Sequence, residues 1–529
     1  MSIHDGQEKT PLFDAIVGYA NDNKISFHTP GHKHGKGIPK VFRQFVGEKV
    51  FQLDLSVMSE IDSLHEPSTV IKEAQILAAK AYGADYSFFL VNGTTGGNQA
   101  MILSVCDPGD KIIIPRNAHK SVISAVILAG AEPVYIMPKI DEVSDLILNL
   151  TPEQVEEACR QNPDAKAVLV TNPTYFGLTA DLEAIAEVVH KHDKILLVDE
   201  AHGAHLHFHP SFPKSAIDAG ADMCVQSTHK HLAALSQGSM LHVKGVRVDI
   251  LRLKTTLQML QTTSPSYVIL GSLDISRHQM VREGERLLGE VIALCEKARA
   301  EINQIPGLSC LTREQVKKIP SLDLDVTKIT VSTKGLPCTG YDMAKILNSE
   351  YGIQTEMADF QNVLLFVSLG NTPKDLKRFV GALKKIVVDY KDMFMNYKKR
   401  KRVVFPTFVP RKEVNPREAL TKLTRKIPFK RSVGKVCAEI ICPYPPGIPV
   451  LCPGEVVTQE IYTYLMNVLD SGARINGQSD GRLQTIKVLE EAPGESDDQK
   501  KLFPVNYTFP VGRDGKKAEQ TGLNLPNTN

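Results

Sequence analysis

A chain of 529 residues is long enough for two or three domains with cores of their own, and 42% hydrophobic with 23% charged residues is the ordinary balance of a globular protein. Basic and acidic side chains number 62 and 60, so the formal charge of +2 excludes a whole-chain field for nucleic acid or an acidic membrane surface. No apolar run approaches the roughly 20 residues of a membrane span, Met1 to Pro11 is polar rather than signal-like, and nine scattered cysteines fit reduced thiols, so a cytoplasmic protein is expected.

In chain order, residues 1–25 read as a polar segment with one short helical stretch. Phe88 to Val91 is an apolar run leading into Asn92-Gly93-Thr94-Thr95-Gly96-Gly97-Asn98, after which Gln99 to Val105 reads as a helix. Strands predicted at Lys111 to Ile114, Ala167 to Val170, Ile195 to Val198 and Asp222 to Val225 alternate with helices at Pro152 to Gln161 and Leu182 to His192. This alternation predicts a mostly parallel sheet covered by helices across residues 26–290. A helix over Glu285 to Gln304, a strand at Ile329 to Ser332, a helix near Tyr341 to Glu350 and the run Val363 to Ser368 predict a smaller α/β part over 291–395. The basic run Tyr397-Lys398-Lys399-Arg400-Lys401-Arg402 reads as a solvated linker, because no aromatic interleaving or binding fold accompanies it. Residues 396–495 then form a further unit, and 496–529 read as a polar tail.

The chemistry concentrates at strand ends. Val198-Asp199-Glu200-Ala201-His202 and Val225-Gln226-Ser227-Thr228-His229-Lys230-His231 place an acid and then a Ser-x-His-Lys after two apolar runs. That is the layout needed to hold pyridoxal 5′-phosphate (PLP), with Lys230 carrying it as a Schiff base and Asp199 pairing with the ring nitrogen. The ring accepts electrons only while its nitrogen is protonated, and a fixed carboxylate favours that form. The lysine must present an uncharged amine, which burial beside a cationic ring arranges. The glycine-threonine turn at 92–98 offers N–H groups and hydroxyls to a phosphate, and lacks the Gly-Lys-Ser/Thr end of a nucleoside-triphosphate loop. His119, after the strand pattern Ile112-Ile113-Ile114, stands where an imidazole can stack on a pyridine ring. In open α/β sheets ligands bind at this carboxyl edge.

A metal reading of His202, His205, His207 and His209 with Asp199 and Glu200 lacks a His-Glu-x-x-His helix and leaves Ser227 to Lys230 unexplained, so no metal is expected. Cys437, Cys442 and Cys452 lack metal-finger spacing and read as buried apolar residues.

Phe27-His28-Thr29-Pro30-Gly31-His32-Lys33, Leu64-His65-Glu66-Pro67, Asn92-Gly93-Thr94-Thr95, Pro115 to Ser121, Asn172-Pro173-Thr174-Tyr175-Phe176-Gly177, Asp199 to Gly203, Ser227 to Lys230 and Thr262 to Tyr267 together resemble the Orn/Lys/Arg decarboxylases of the type I PLP fold. Tyr444-Pro445-Pro446-Gly447-Ile448-Pro449 with Pro453-Gly454-Glu455 is similar to that family's C-terminal domain. The resemblance runs from about residue 10 to about residue 490 and is closest to the shorter arginine decarboxylases without an N-terminal wing domain. It implies an α/β, aspartate-aminotransferase-like major domain with a mostly parallel sheet, a smaller α/β part and a C-terminal α+β domain.

Residue by residue, the resemblance implies Lys230 as the cofactor lysine, Asp199 at the ring nitrogen and His119 stacked on the ring. It places Thr94, Thr95, Ser227 and His229 at the phosphate, Ala201 and His202 along the ring, and Lys230 or His229 as the proton donor to Cα. Thr262 to Ser264 would complete the cofactor site of a partner subunit, so at least a homodimer is expected. Two departures stand out: Gly93-Thr94-Thr95 replaces a common Gly-Thr-Ser but keeps the hydroxyl, and the chain has no tryptophan where acid-stress relatives carry one near His202. The second favours the biosynthetic branch over the acid-stress one. The resemblance to the wingless group, particularly at Leu64-His65-Glu66-Pro67 and Gln354-Thr355-Glu356-Met357-Ala358-Asp359, implies decarboxylation of L-arginine to agmatine in polyamine biosynthesis. Glu356 and Asp359 are the acids available to pair a guanidinium. Lysine and then ornithine are the alternative substrates. An inactive relative acting as a binding protein is the alternative of another class, and the presence of every catalytic-type residue argues against it.

Overall fold

β-Branched and aliphatic runs of five residues form the spine of the structure, a computed structural model that describes residues 6–22, 24–141, 144–390, 405–444, 447–470, 474–477, 479–480 and 482–490. Strands β1 (Tyr86–Leu90), β2 (Lys111–Pro115), β3 (Glu132–Ile136), β4 (Ala167–Thr171), β5 (Leu178–Ala180), β6 (Ile195–Asp199), β7 (Met223–Gln226) and β8 (Ser239–Val243) appear in chain order. All but β5 make one seven-stranded sheet in the order β1-β8-β7-β6-β4-β2-β3. The pairs β2·β3, β2·β4, β4·β6 and β6·β7 are parallel, and β8 runs against both β7 and β1. The mostly parallel sheet expected from the alternation is therefore present, with one reversed strand inside it.

Both faces of this sheet are covered, as its unbroken apolar strands require. Ile112, Ile114, Leu169, Leu197, Val225 and Leu241 point into one core with the helices Gly93–Val105, Lys120–Ala129 and Ile250–Leu260. Their odd-even neighbours Ile113, Val168, Val170, Leu196, Val198 and Cys224 point into the other, against Pro152–Gln161 and Leu182–Lys191. The helix expected to begin at Gln99 in fact starts at Gly93, so the glycine-threonine segment is its first turn rather than a separate loop. Gly93 sits at a left-handed φ of 65° where the chain leaves β1. A Cβ at Gly97 would collide with Val225 Cγ2, so glycine there lets the helix lie against β7.

Beyond the sheet, a 36-residue helix, Tyr267–Ile302, runs through the expected boundary at 290/291. Its start at Tyr267 rather than Glu285 follows from an apolar stripe, Tyr267, Leu270 and Leu273, which packs with Leu12 and Ile16 of the N-terminal helix Pro11–Asn21. Its last turns, through Val291, Cys295, Ala298 and Ile302, join a second core. That core lies under β9 (Ser309–Cys310), β11 (Lys328–Ser332), β12 (Met357–Ala358) and β13 (Asn362–Phe366), all antiparallel, while β10 (Leu322–Leu324) pairs with β5. Helices Gly340–Tyr351 and Pro373–Asp389 complete it.

The C-terminal part combines short antiparallel pairs, β14 (Thr424–Pro428) with β17 (Thr485–Leu489) and β15 (Cys442–Tyr444) with β16 (Arg474–Asn476), with the helix Gln459–Asp470. This is the expected α+β unit. It is fastened to the major sheet by a buried ion pair, Arg116 Nη2 to Glu455 Oε2 at 2.9 Å, and Arg116 also donates to the Val450 carbonyl. The nine cysteines are buried free thiols. Among the described residues no helix is long and apolar enough to cross a membrane. Residues 397–402, 496–529, 1–5 and Pro445-Pro446, named in the sequence reading, lie outside the described residues.

Candidate active site

The turns after β1, β2, β4, β6 and β7 leave the same edge of the sheet and meet in one cavity. Thr94, His119, Tyr175, Asp199, His202 and Lys230 line it, and Ile448 of the C-terminal part closes one side. Parallel strands deliver their following residues to a common edge, which is why residues distant in sequence converge here.

Lys230 Nζ lies 3.0 Å from His202 Nε2 and 5.7 Å from the centre of the Tyr175 ring. Burial pushes the Lys230 ammonium down from its ordinary pKa, the charges of Asp199 and Glu356 oppose this, and the charge of Lys328 adds to it. His202 is held well below the usual histidine range by burial and by the charges of Lys230 and Lys328, so its ring is neutral at neutral pH. The ring is fixed edge-on to Phe366, with centroids 5.0 Å apart.

Asp199 is buried at the end of β6. Its Oδ1 accepts from the Ala201 amide at 3.2 Å and its Oδ2 from Asn98 Nδ2 at 2.9 Å. Asn98 Nδ2 also donates to Ser121 Oγ at 3.0 Å, and Ser121 Oγ lies 2.8 Å from His119 Nδ1. The Ser121 amide points at the same His119 nitrogen, 3.2 Å away, so Nδ1 is the acceptor and the proton sits on Nε2. Burial lowers the His119 pKa, with Lys230 and Lys120 in the same direction and Asp199 against. One amide thus ties the ends of β1, β2 and β6 together.

The other expected site residues are placed differently from one another. Thr94 Oγ1 and Ser227 Oγ stand 3.1 Å apart at the start of the helix Gly93–Val105, Ala201 lines the cavity, and Thr95 is exposed on the same turn. His229 donates Nδ1–H to the Gly238 carbonyl at 3.0 Å and is not among the cavity-lining residues. Thr262 and Ser264 are exposed, and the Thr262 carbonyl meets His65 Nε2 at 3.0 Å, so the chain's own cavity does not include them. Glu356 is exposed, with its charge reaching Lys230. Asp359 spends its carboxylate on its own turn, accepting from the amides of Gln361 and Asn362, both at 2.7 Å, and from Asn362 Nδ2. It lines a neighbouring cavity that shares Ile147, Phe176 and Ile448 with the Lys230 cavity.

The four histidines after Asp199 diverge. His207 pairs with Asp218 at 2.7 Å, His209 accepts from the Ser211 amide, and His205 lies 3.2 Å from Asp325. Glu200 faces away beneath the sheet, bonded to the Ala216 amide and Gln226, and burial pushes its carboxyl up to about 8. His205, His231 and Asp325 do offer ligand atoms within 4.8 Å of one another, but Lys328 Nζ binds both Asp325 and His231 there. Sequence reasoning missed Asn98, Ser121, Phe366, Lys328 and Ile448. Asn98, Ser121 and Ile448 lay inside quoted motifs, whereas Lys328 and Phe366 begin and end strands with nothing in the local pattern to mark them.

Two family models match this chain: the Orn/Lys/Arg decarboxylase major domain over residues 10–375 and the Orn/Lys/Arg decarboxylase C-terminal domain over residues 398–481. The chain is 43% identical over 486 residues to an arginine decarboxylase of Halalkalibacterium halodurans, covering 92% of this chain and 98% of that one. It is 41% identical to an arginine decarboxylase of Bacillus subtilis, covering 92% and 99%. Among solved structures, the Francisella novicida lysine decarboxylase LdcF superposes with a TM-score of 0.80 at 26% identity, covering 91% of this chain and 81% of that one. With models of both parts matched in order and relatives this similar along almost the whole length, the chain belongs to the Orn/Lys/Arg decarboxylase family.

Proposed function

We propose that this chain decarboxylates L-arginine to agmatine and CO2 with PLP held at Lys230, as a cytoplasmic, at least dimeric enzyme of polyamine biosynthesis. The observation that carries the reading is the meeting of Lys230, Asp199, His119 and His202 in one cavity. The arginine decarboxylases named above, more than 40% identical, support the choice of substrate.

The residues present fit the cofactor. The cavity holds an amine with a lowered pKa, a carboxylate pinned by two donors, a neutral imidazole and paired hydroxyls at a helix start suited to a phosphate. His202 Nδ1 and Asn98 Oδ1 are buried polar atoms without a hydrogen-bond partner among the described residues. When bound, PLP supplies an electron-accepting ring for the pair left as the Cα–carboxylate bond breaks. Asp199 would hold a proton on the ring nitrogen, and Asn98 keeps that carboxylate in place. His119 would stack on the ring, and Thr94, Thr95, Ser227 and His229 would serve the phosphate. Lys230, as the nitrogen that reaches the cavity, would hold the cofactor and, with substrate in place, the proton that replaces the carboxylate at Cα. Ala201 and His202 border the ring, and Ile448 helps exclude water. Thr262 and Ser264, exposed in one chain, suit a role in the site of a second copy. Glu356 is the acid best placed for the guanidinium, with Asp359 behind it.

The test is direct. Purified protein with PLP receives equal L-arginine, L-lysine and L-ornithine, and agmatine, cadaverine and putrescine are quantified together. Dominant agmatine supports the reading; dominant cadaverine or putrescine replaces the substrate; and no amine from protein that binds PLP overturns decarboxylation of these three.

A further inference from the structure

Behind His202 lies a group of charges that the reaction as described does not use. Lys328, first residue of β11, and Asp325, three residues before it, are both 0% exposed and paired at 2.9 Å. A lysine ammonium has three N–H donors, and Lys328 Nζ finds three acceptors: Asp325 Oδ2 at 2.9 Å, His231 Nε2, and the backbone carbonyl of His202 at 3.3 Å. It also sits 4.6 Å from the centre of the Phe366 ring, the ring that holds His202 edge-on. His231 directly follows Lys230, and His202 Nε2 touches the Lys230 amine. Two bonds therefore run from one buried cation to the two segments that aim Lys230.

A buried ion pair is a poor source of stability, since packed apolar residues of like volume are often as stable or more so. A cluster of this kind makes better sense as a device for holding and polarising its neighbours. On the reading that Lys230 carries PLP, we propose that Lys328 is a positioning residue. Its ammonium clamps the His202 carbonyl and the His231 ring, and so fixes the two segments that aim Lys230 and sets a positive charge behind the Lys230 amine.

Burial pushes the Lys328 ammonium down from its ordinary pKa, and the carboxylate of Asp325, bonded to it at 2.9 Å, opposes this and favours the charged form. The groups facing Lys328 are Asp325 on the preceding turn, His202 and His205 after β6, His231 after β7, Cys295 on the long helix, and Glu356 before β12. Those facing Lys230 are Asp199, His119, Tyr175, His202, His229, His231, Glu356 and Lys328. The imidazoles are kept neutral by burial and by these cations, so Lys328 is the positive charge from the far side that acts on Lys230, and Asp199 and Glu356 are the negative ones. Asp325 is held well below the usual carboxylate range once the favourable charge of Lys328 is set against burial, and so it keeps the clamp in place.

The experiment is a pH titration of the cofactor absorption band at Lys230 in the PLP-loaded enzyme, for wild type, Lys328→Met, Lys328→Arg and the double variant Asp325→Asn/Lys328→Met. Removing the cation should raise the midpoint by about one pH unit in Lys328→Met, less in the double variant, and hardly at all in Lys328→Arg. The double variant leaves no unpaired buried carboxylate, so it carries the test if Lys328→Met does not fold. A wild-type midpoint in a folded Lys328→Met or double variant, or a downward shift, overturns the proposal. Absence of any band in the wild type would instead overturn PLP binding itself.

Discussion

Asn98 Nδ2 stands 2.9 Å from Asp199 Oδ2 and 3.0 Å from Ser121 Oγ, so a single side-chain amide holds the acid of β6 and the serine that fixes the tautomer of His119. Asn98→Ala leaves Asp199 with one donor fewer in a buried setting. We expect a loss of about 1–3 kcal/mol in stability and weaker retention of PLP, measured by thermal melts with and without the cofactor. Unchanged melting with unchanged retention would remove Asn98 from the site.

Lys230→Ala removes the nitrogen that the proposed chemistry turns on. Amine production from arginine should fall to background while the fold, followed by circular dichroism, persists. Appreciable turnover by this variant would refute the assignment of Lys230.

The two candidate substrate acids should part company. Asp359 is engaged by Gln361 and Asn362 of its own turn, so Asp359→Asn should mainly lower stability. Glu356 is exposed, and its charge acts on the cavity. Glu356→Gln should raise KM for arginine about tenfold or more, the loss of a charge-assisted bond worth roughly 1.5–3 kcal/mol. Steady-state kinetics of both variants, with arginine and lysine compared, decides between them.

The location of the site was legible because strand ends in an α/β fold carry their own signatures: an acid after Val198, a Ser-x-His-Lys after Val225, a glycine turn after β1. The boundaries were less so. The helix Tyr267–Ile302 opens on a mixed apolar and polar stretch whose partner, the N-terminal helix, lies some 250 residues away in the chain, and no local periodicity announces such a contact. Lys328 stayed hidden for the same reason. A lysine at the start of a strand reads as a solvent residue until Asp325, His231 and the His202 carbonyl close around it.

Arg116 and Glu455 are a buried pair with side chains only 2% exposed each. Arg116→Met should cost about 3–5 kcal/mol by stranding the carboxylate, and Arg116→Met/Glu455→Leu should recover much of that. Urea denaturation of the two variants reads the difference. Equal losses in both would mean that the pair contributes more than charge compensation.

Glu200 and His242 meet through Gln226, which donates to Glu200 Oε2 at 2.8 Å and lies 3.2 Å from His242 Nε2. Burial raises Glu200 from 4.5 to about 8 and lowers His242 from 6.5 to about 3. The folded Glu200 binds a proton that the unfolded chain lacks between these values, so its contribution is full below pH 4.5 and is lost as pH rises to 8. For His242 the unfolded chain binds the extra proton, so stability is full above 6.5 and is lost as pH falls towards 3. Between pH 6.5 and 8 only Glu200 of the two acts, with a slope of at most ~1.4 kcal/mol per pH unit. Glu200→Gln should flatten that limb and spare the acid one, as chemical denaturation at stepped pH would record.

The helix Tyr267–Ile302 has a wider consequence. At 36 residues it is a continuous rod of about 54 Å, seated at its first turns in the core beside the N-terminal helix and at its last in the core under β11. A truncation placed at residue 290 would cut through hydrogen-bonded turns rather than a loop, so neither lobe is a natural fragment. A swing of the smaller lobe as a whole would therefore have to bend its own axle.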